Sequence, residues 1–188
     1  MKNKMQSLSK ISIVLTKIME ITHWVAAALM IAAAVCTAAA PQMVDKLISF
    51  DATEQEVEIS TYGFEVTVPV VNGVADMKTV RLYAIGAVMI LSLMAMVFRN
   101  LYLILKKSAN NTPFQEDNVR MLREIGYFSI AIPIISLIMG AIIRAVIGME
   151  VAELSVRVDG FVMGIIVLSL TQLFAHGITL EKDVDGLL

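Results

Sequence analysis

Four stretches of this chain are too long and too apolar to serve as the core of a soluble domain of its size. They run from about 18 to 40, 82 to 105, 125 to 147 and 160 to 176. A hydrocarbon layer of about 30 Å is crossed by about 20 helical residues, and these blocks are of that order, the fourth being the shortest. Composition agrees. Hydrophobic residues make up 57% of the 188, with a mean hydropathy of +0.76, against roughly 45–50% apolar in ordinary soluble domains. The expected fold is therefore an all-α membrane protein. It is a four-transmembrane-helix bundle forming one integral membrane domain over residues 1–188.

The segments between the spans are informative. Lys2, Lys4, Lys10 and Lys17 alternate with Leu8, Ile11, Val14, Leu15 and Ile18 at three- and four-residue steps. That is the pattern of a basic amphipathic helix leading into a membrane. Pro41 ends the first span. Ala38-Ala39-Ala40 would suit a signal-peptide cleavage site, but the apolar run exceeds the 7–15 residues of a signal core. A retained helix is expected.

Loop 41–81 carries strand periodicity. Val57 and Ile59, then Phe64, Val66, Val68 and Val70, alternate with polar residues or proline. Thr61-Tyr62-Gly63 and Asn72-Gly73 are turn signals. A β-hairpin outside the bilayer follows. In loop 148–159, Leu154, Val156 and Val158 alternate with polar residues, so a further strand is expected to complete a small cap. Loop 106–124 has the best local helix start. Thr112 and Gln115 form a capping box, Pro113 takes the first helical position, and Glu116 and Asp117 follow in the first turn. The helix is expected to begin at Thr112 and to kink at Pro133. Gly160 and Gly164 form a small-xxx-small pair for close helix approach.

An even number of spans puts both termini on one side. That side carries Lys2, Lys4, Lys10, Lys17, Arg99, Lys106, Lys107, Arg120, Arg123 and Lys182; the other carries Lys46, Lys78, Arg81, Arg144 and Arg157. The positive-inside rule assigns the richer side, with loop 106–124, to the cytoplasm. Loops 41–81 and 148–159 then lie outside.

Two stretches carry a family resemblance. One is Asn111-Thr112-Pro113-Phe114 with Asn118-Val119-Arg120-Met121-Leu122-Arg123-Glu124-Ile125-Gly126-Tyr127; the other is Leu173-Phe174-Ala175-His176-Gly177-Ile178-Thr179-Leu180-Glu181-Lys182-Asp183-Val184-Asp185. With four spans, the chain resembles the bacterial integral membrane family catalogued as domain of unknown function 2975. The resemblance implies a multi-pass protein of the bacterial cytoplasmic (inner) membrane. Members of that family are often encoded beside a small helix-turn-helix regulator. This implies a cytoplasmic transcriptional regulator as partner. No catalytic residue comes with the resemblance.

The residues themselves offer little chemistry. There is no phosphate-binding glycine loop, nucleophile elbow or zinc motif, and the expectation is a non-enzymatic protein without a cofactor. A net charge of −2 argues against direct nucleic-acid binding. Asp183-Val184-Asp185-Gly186 is cut too short for a calcium loop, and the lone Cys36 is expected to be buried packing.

Arg120 and Arg123 on the loop, and Glu181, Asp183 and Asp185 on the tail, either dock on one another or form a composite face for a cytoplasmic protein. Thr112, Phe114 and Asn118 complete that candidate face. His23 and His176, the only histidines, each lie near the cytoplasmic end of a span. A bis-histidine haem would need such a pair, although interfacial packing explains them more simply. Glu20, one turn before His23, is expected near the interface, where water solvates it. Ser92, Ser136, Ser169, Thr171 and Gln172 are scattered candidates for a polar path. The leading expectation is a regulatory or sensory membrane protein. A small transporter or channel subunit, in which a homo-oligomer would build the pore from few polar groups, is the alternative, and a haem-b electron-transfer protein is a third.

Overall fold

A computed structural model describes residues 2–40, 56–71, 73–109, 115–152 and 158–185; side chains are described from Ser9 onward and, in the tail, to Leu180 and at Asp183. The chain order is α1 (Lys2–Ala39), β1 (Glu56–Thr61), β2 (Phe64–Val71), β3 (Val74–Ala75), α2 (Met77–Ser108), α3 (Glu116–Val146) and α4 (Val158–Asp185). All four helices are long and apolar enough to cross a membrane. Their outer surfaces are apolar too: Ile11, Leu15, Leu29 and Val35 on α1, and Met163, Ile165 and Leu173 on α4, are more than half exposed. Such a surface suits lipid as solvent rather than water.

Each helix is longer than its apolar block. α1 alone has 38 residues, about 57 Å at 1.5 Å per residue, nearly twice the ~30 Å hydrocarbon layer. Cys36 is exposed on α1, against the expectation of burial, because this part of the helix turns most of its surface outward. α3 starts at Glu116 rather than Thr112. The Gln115 carbonyl accepts from the amides of Asn118 (3.0 Å) and Val119 (3.1 Å), so Gln115 opens the helix. Glu116 and Asp117 then occupy the first turn, as expected. Thr112, Pro113 and Phe114 lie outside the described residues.

The chain divides into two compact units. The first holds residues 1–23, 93–131 and 158–188; the second holds 24–92 and 132–157. In α3 the boundary falls between Ala131 and Ile132, beside Pro133, which removes one backbone donor from the helix.

The second unit contains the sheet, in the order β1-β2-β3. β1 and β2 form the expected antiparallel hairpin, with Thr61 opposite Phe64. Tyr62 (φ 49°) and Gly63 (φ 82°) are both left-handed, as a two-residue hairpin turn of type I′ requires. The Asn72-Gly73 signal leads into β3, which pairs Val71 with Val74. Among the described residues, the last loop joins the sheet through Val151 and Ala152. The Thr67 amide donates to the Val151 carbonyl at 2.8 Å, and Val66 bridges to Ala152. Val158 opens α4, while residues 153–157 lie outside the described residues.

Alternation along β2 buries Phe64, Val66, Val68 and Val70. The Phe64 ring stacks on Tyr83, with centroids 5.2 Å apart and planes at 9°. Thr61 and Tyr83 share a hydrogen bond between hydroxyls, and the Ser136 hydroxyl donates to the Gly63 carbonyl at 3.4 Å. The turn of the hairpin is thereby held against α2 and α3. Asp76 then starts α2 directly off the sheet. Its amide donates to Pro69, and its carboxylate accepts from the Thr79 amide (3.1 Å), the Thr79 hydroxyl (2.6 Å) and the Lys78 amide (3.3 Å). This is an N-cap.

In the first unit, Ile104, Met121 and Ile125 form a buried cluster joined by Leu101, Leu122 and Val167. It ties the end of α2 to the start of α3 and to α4. Gly126 and Gly164 bring α3 and α4 into backbone contact. The sequence expectation of a tight approach at Gly164 is met, with Gly126 as the partner.

Candidate functional site

The end of α2 and the start of α3 lie side by side in the first unit, and polar pairs fix them in register. Asn100, buried on α2, donates to Glu124 Oε2 at 2.8 Å. Lys107 pairs with Asp117 at 2.7 Å. Asn118, fully buried, donates from Nδ2 to the Ser108 hydroxyl at 3.4 Å. These three contacts surround the Ile104–Met121–Ile125 cluster, so the first turns of α3 are held by apolar packing and by hydrogen bonds together.

Helical spacing then decides which α3 side chains face outward. Asn118, Val119, Met121 and Ile125 are buried, whereas Glu116, Asp117, Arg120, Arg123 and Tyr127 are exposed. Arg120 reaches Glu124 only at 3.9 Å, with 70% of its side chain exposed. Pairs of that kind contribute little. Arg123 makes no ion pair among the described residues. The nearby acids are shared with other partners: Asp117 with Lys107, and Glu124 Oε2 with Asn100. The result is a firmly seated helix start that presents two arginines and a tyrosine.

The other candidate residues are placed as follows. Asp183 is exposed on α4 and forms no ion pair among the described residues; the side chains of Glu181 and Asp185 lie outside them, as do Thr112 and Phe114. Arg120 and Arg123 therefore make no described contact with the acidic tail. His23 is buried, with Nδ1 2.6 Å from the Met19 carbonyl and its ring 5.1 Å from Phe98. His176 is exposed, so the two rings differ in environment. Axial ligands of one haem would have to share one cavity. Glu20 is buried rather than solvated and is held by Lys17 at 3.0 Å. Its partner stands one turn earlier on the same helix. Among the described residues, no group of three or more His, Cys, Asp or Glu could hold a metal ion.

The hydroxyls of Ser92, Ser169 and Thr171 donate to carbonyls one turn back in their own helices, at 2.7–2.9 Å. That geometry satisfies them without a neighbour. Sequence reasoning missed the roles of Asn100, Lys107 and Glu124. Asn100 was visible only as a polar interruption of an apolar run, and nothing local to the sequence names its partner 24 residues on. A scan against protein-family models finds no match, and neither a search of curated proteins nor a search of solved structures finds one.

Proposed function

We propose that this is a non-enzymatic regulatory membrane protein that holds a cytoplasmic protein against the start of α3. In this reading both termini and the 106–124 segment are cytoplasmic, on the positive-inside rule. The sheet lies on the opposite side of the membrane, as an extracytoplasmic cap. The outer edge of β1 is paired with nothing among the described residues, and such an edge is not tolerated in hydrocarbon. Glu56, Glu58 and Ser60 on β1 are exposed, which suits water.

The observation that carries the proposal is the exposed Arg120–Arg123–Tyr127 face on a rigid support. Two exposed guanidinium groups, Arg120 paired with Glu124 only at 3.9 Å and Arg123 with no ion pair among the described residues, beside an aromatic ring, match the composition of interface centres, which are rich in Arg and Tyr. They fit an acidic protein surface. The resemblance noted from the sequence names a class of partner, a helix-turn-helix regulator. Pro133 offers α3 a point at which a change near the sheet would alter the helix start. The transport reading draws less support, because the hydroxyls of Ser92, Ser169 and Thr171 bond back to their own helices.

The test is co-purification from the native host after gentle detergent extraction, with Arg120→Ala/Arg123→Ala as the comparison. A cytoplasmic regulator retained by the wild type and lost from the variant is the expected result, together with a change in that regulator's transcripts. If neither retention nor transcripts differ between the two, the proposal fails.

A further inference from the structure

No acidic residue precedes Glu20, whereas Lys2, Lys4, Lys10 and Lys17 do. From Lys17 to the end of α1 at Ala39 the helix rises about 33 Å, close to the thickness of the hydrocarbon layer. Lys17 therefore stands at headgroup level. There it meets α2. The Lys17 ammonium lies 5.0 Å from the centroid of the Tyr102 ring, and the Lys106 ammonium lies 5.5 Å from the same centroid.

Two cations from two helices thus share one aromatic ring. A ring quadrupole attracts cations but carries no net charge, so it leaves their mutual repulsion unbalanced. Glu20 offsets one, through its 3.0 Å pair with Lys17. Lys106 is exposed and has no acidic partner among the described residues, and the neighbouring Lys107 is already paired with Asp117. The Tyr102 hydroxyl makes no hydrogen bond among the described residues. One positive charge in excess and one unused donor remain at the membrane surface.

We propose that Lys17, Lys106 and Tyr102 form a seat for the phosphate of an anionic phospholipid. An ammonium pair takes a phosphodiester as a charge-assisted acceptor, and each lysine near an anionic surface adds several-fold to binding. The ligand is a lipid rather than a free anion because the adjoining surface is apolar. On the hydrocarbon side of Lys17, Ile18, Ile21, Val25 and Leu29 are all exposed and form one apolar stripe along α1. Acyl chains cover such a stripe, and inorganic phosphate does not.

The experiment uses the full chain in detergent and measures its unfolding temperature against added phosphatidylglycerol, phosphatidylcholine or inorganic phosphate. Wild type is expected to respond to phosphatidylglycerol at roughly tenfold lower concentration than to phosphatidylcholine, and not to respond to inorganic phosphate. Lys106→Gln should raise the phosphatidylglycerol concentration needed by about fivefold. Lys17→Gln/Lys106→Gln should raise it further, and Lys106→Arg should keep most of the wild-type response. Should the double variant fail to fold, Lys106→Gln alone decides, since its side chain is exposed. Equal responses to the two lipids, an equal response to inorganic phosphate, or an unchanged response in Lys106→Gln would each overturn the proposal. Partner retention through Arg120 and Arg123 is read separately and does not depend on this result.

Discussion

The carbonyl oxygen of Gly126 on α3 lies 2.9 Å from where a Cβ on Gly164 of α4 would sit, and the Gly164 carbonyl lies 3.3 Å from the matching place on Gly126. These contacts are backbone to backbone, so no side-chain rotation relieves them. The side chains above the crossing are close as well: a Cβ at Gly164 would strike Ile130 Cγ1, and one at Gly126 would lie 2.6 Å from Leu168 Cγ. Without a hydrophobic drive between helices in lipid, such packing is a main source of association. Gly164→Ala is expected to lower stability by about 1–3 kcal/mol, the usual cost of overpacking. Reversible unfolding in detergent measures it. An unchanged unfolding curve would mean that the two helices separate at little cost.

Gly86 is a tight position of another kind. A Cβ there would meet Phe64 Cε1 at 2.6 Å, Phe64 Cζ at 2.9 Å and Met139 Cγ at 3.2 Å. Phe64 is 1% exposed and stacked on Tyr83, so the ring has no room to withdraw. Gly86→Ala should destabilise by about 1–3 kcal/mol, and Phe64→Ala, which leaves a cavity, by about 3–5 kcal/mol. Phe64→Leu removes the ring edge that a Cβ at Gly86 would strike. Gly86→Ala should therefore cost less in the Phe64→Leu background than in the wild type, a coupling that a double-mutant cycle reads directly.

Acid should loosen the start of α2. Partial burial pushes the Asp76 carboxyl up, but hydrogen bonds from the Thr79 hydroxyl and amide and the Lys78 amide, with the charge of Lys78, outweigh it and hold the group below its ordinary 3.8. A depressed folded pKa means that the stability it contributes is present above 3.8 and is lost as pH falls through the folded value. Asp76→Asn keeps much of the cap but cannot titrate. Its unfolding temperature should fall less than that of the wild type as pH drops from about 5 towards 2. Parallel acid profiles for the two proteins would show that Asp76 does not report the transition.

The spans and the hairpin were legible because each follows from a local period. Unbroken apolar runs marked the helices, and alternation from Val57 to Val70 marked β1 and β2. Tyr62-Gly63 announced the turn through glycine's tolerance of positive φ. What stayed hidden depends on partners distant in sequence. The register of α2 on α3 rests on Asn100 and Glu124, and β2 gains Val151 and Ala152 across more than 80 residues. Cys36 and Glu20 show the complementary error. An apolar neighbourhood in sequence does not say whether lipid or protein lies beside a residue, so Cys36 proved exposed and Glu20 buried. At the candidate site, the arginines were visible as residue types, but how loosely they are paired depends on Lys107 and Asn100 sharing the nearby acids.

That dependence yields a prediction joining stability to the proposed function. Asn100 is 4% exposed, and its amide donates to a carboxylate at 2.8 Å. Hydrogen bonds to a charged group contribute about 1.5–3 kcal/mol. Asn100→Leu keeps the volume and removes the donor, so stability should fall by that order, whereas Glu124→Gln keeps a hydrogen-bond acceptor and should cost less. Losing the Asn100 bond also frees Glu124 Oε2 to approach Arg120, which now stands 3.9 Å from Oε1. The guanidinium of Arg120 would then be less available to an acidic partner. Asn100→Leu should accordingly weaken retention of a cytoplasmic partner although Asn100 is itself buried, and Asn100→Leu/Glu124→Gln should recover part of that loss. Co-purification of the two variants at matched folded fraction checks this. Full retention by folded Asn100→Leu would show that Glu124 does not control access to Arg120.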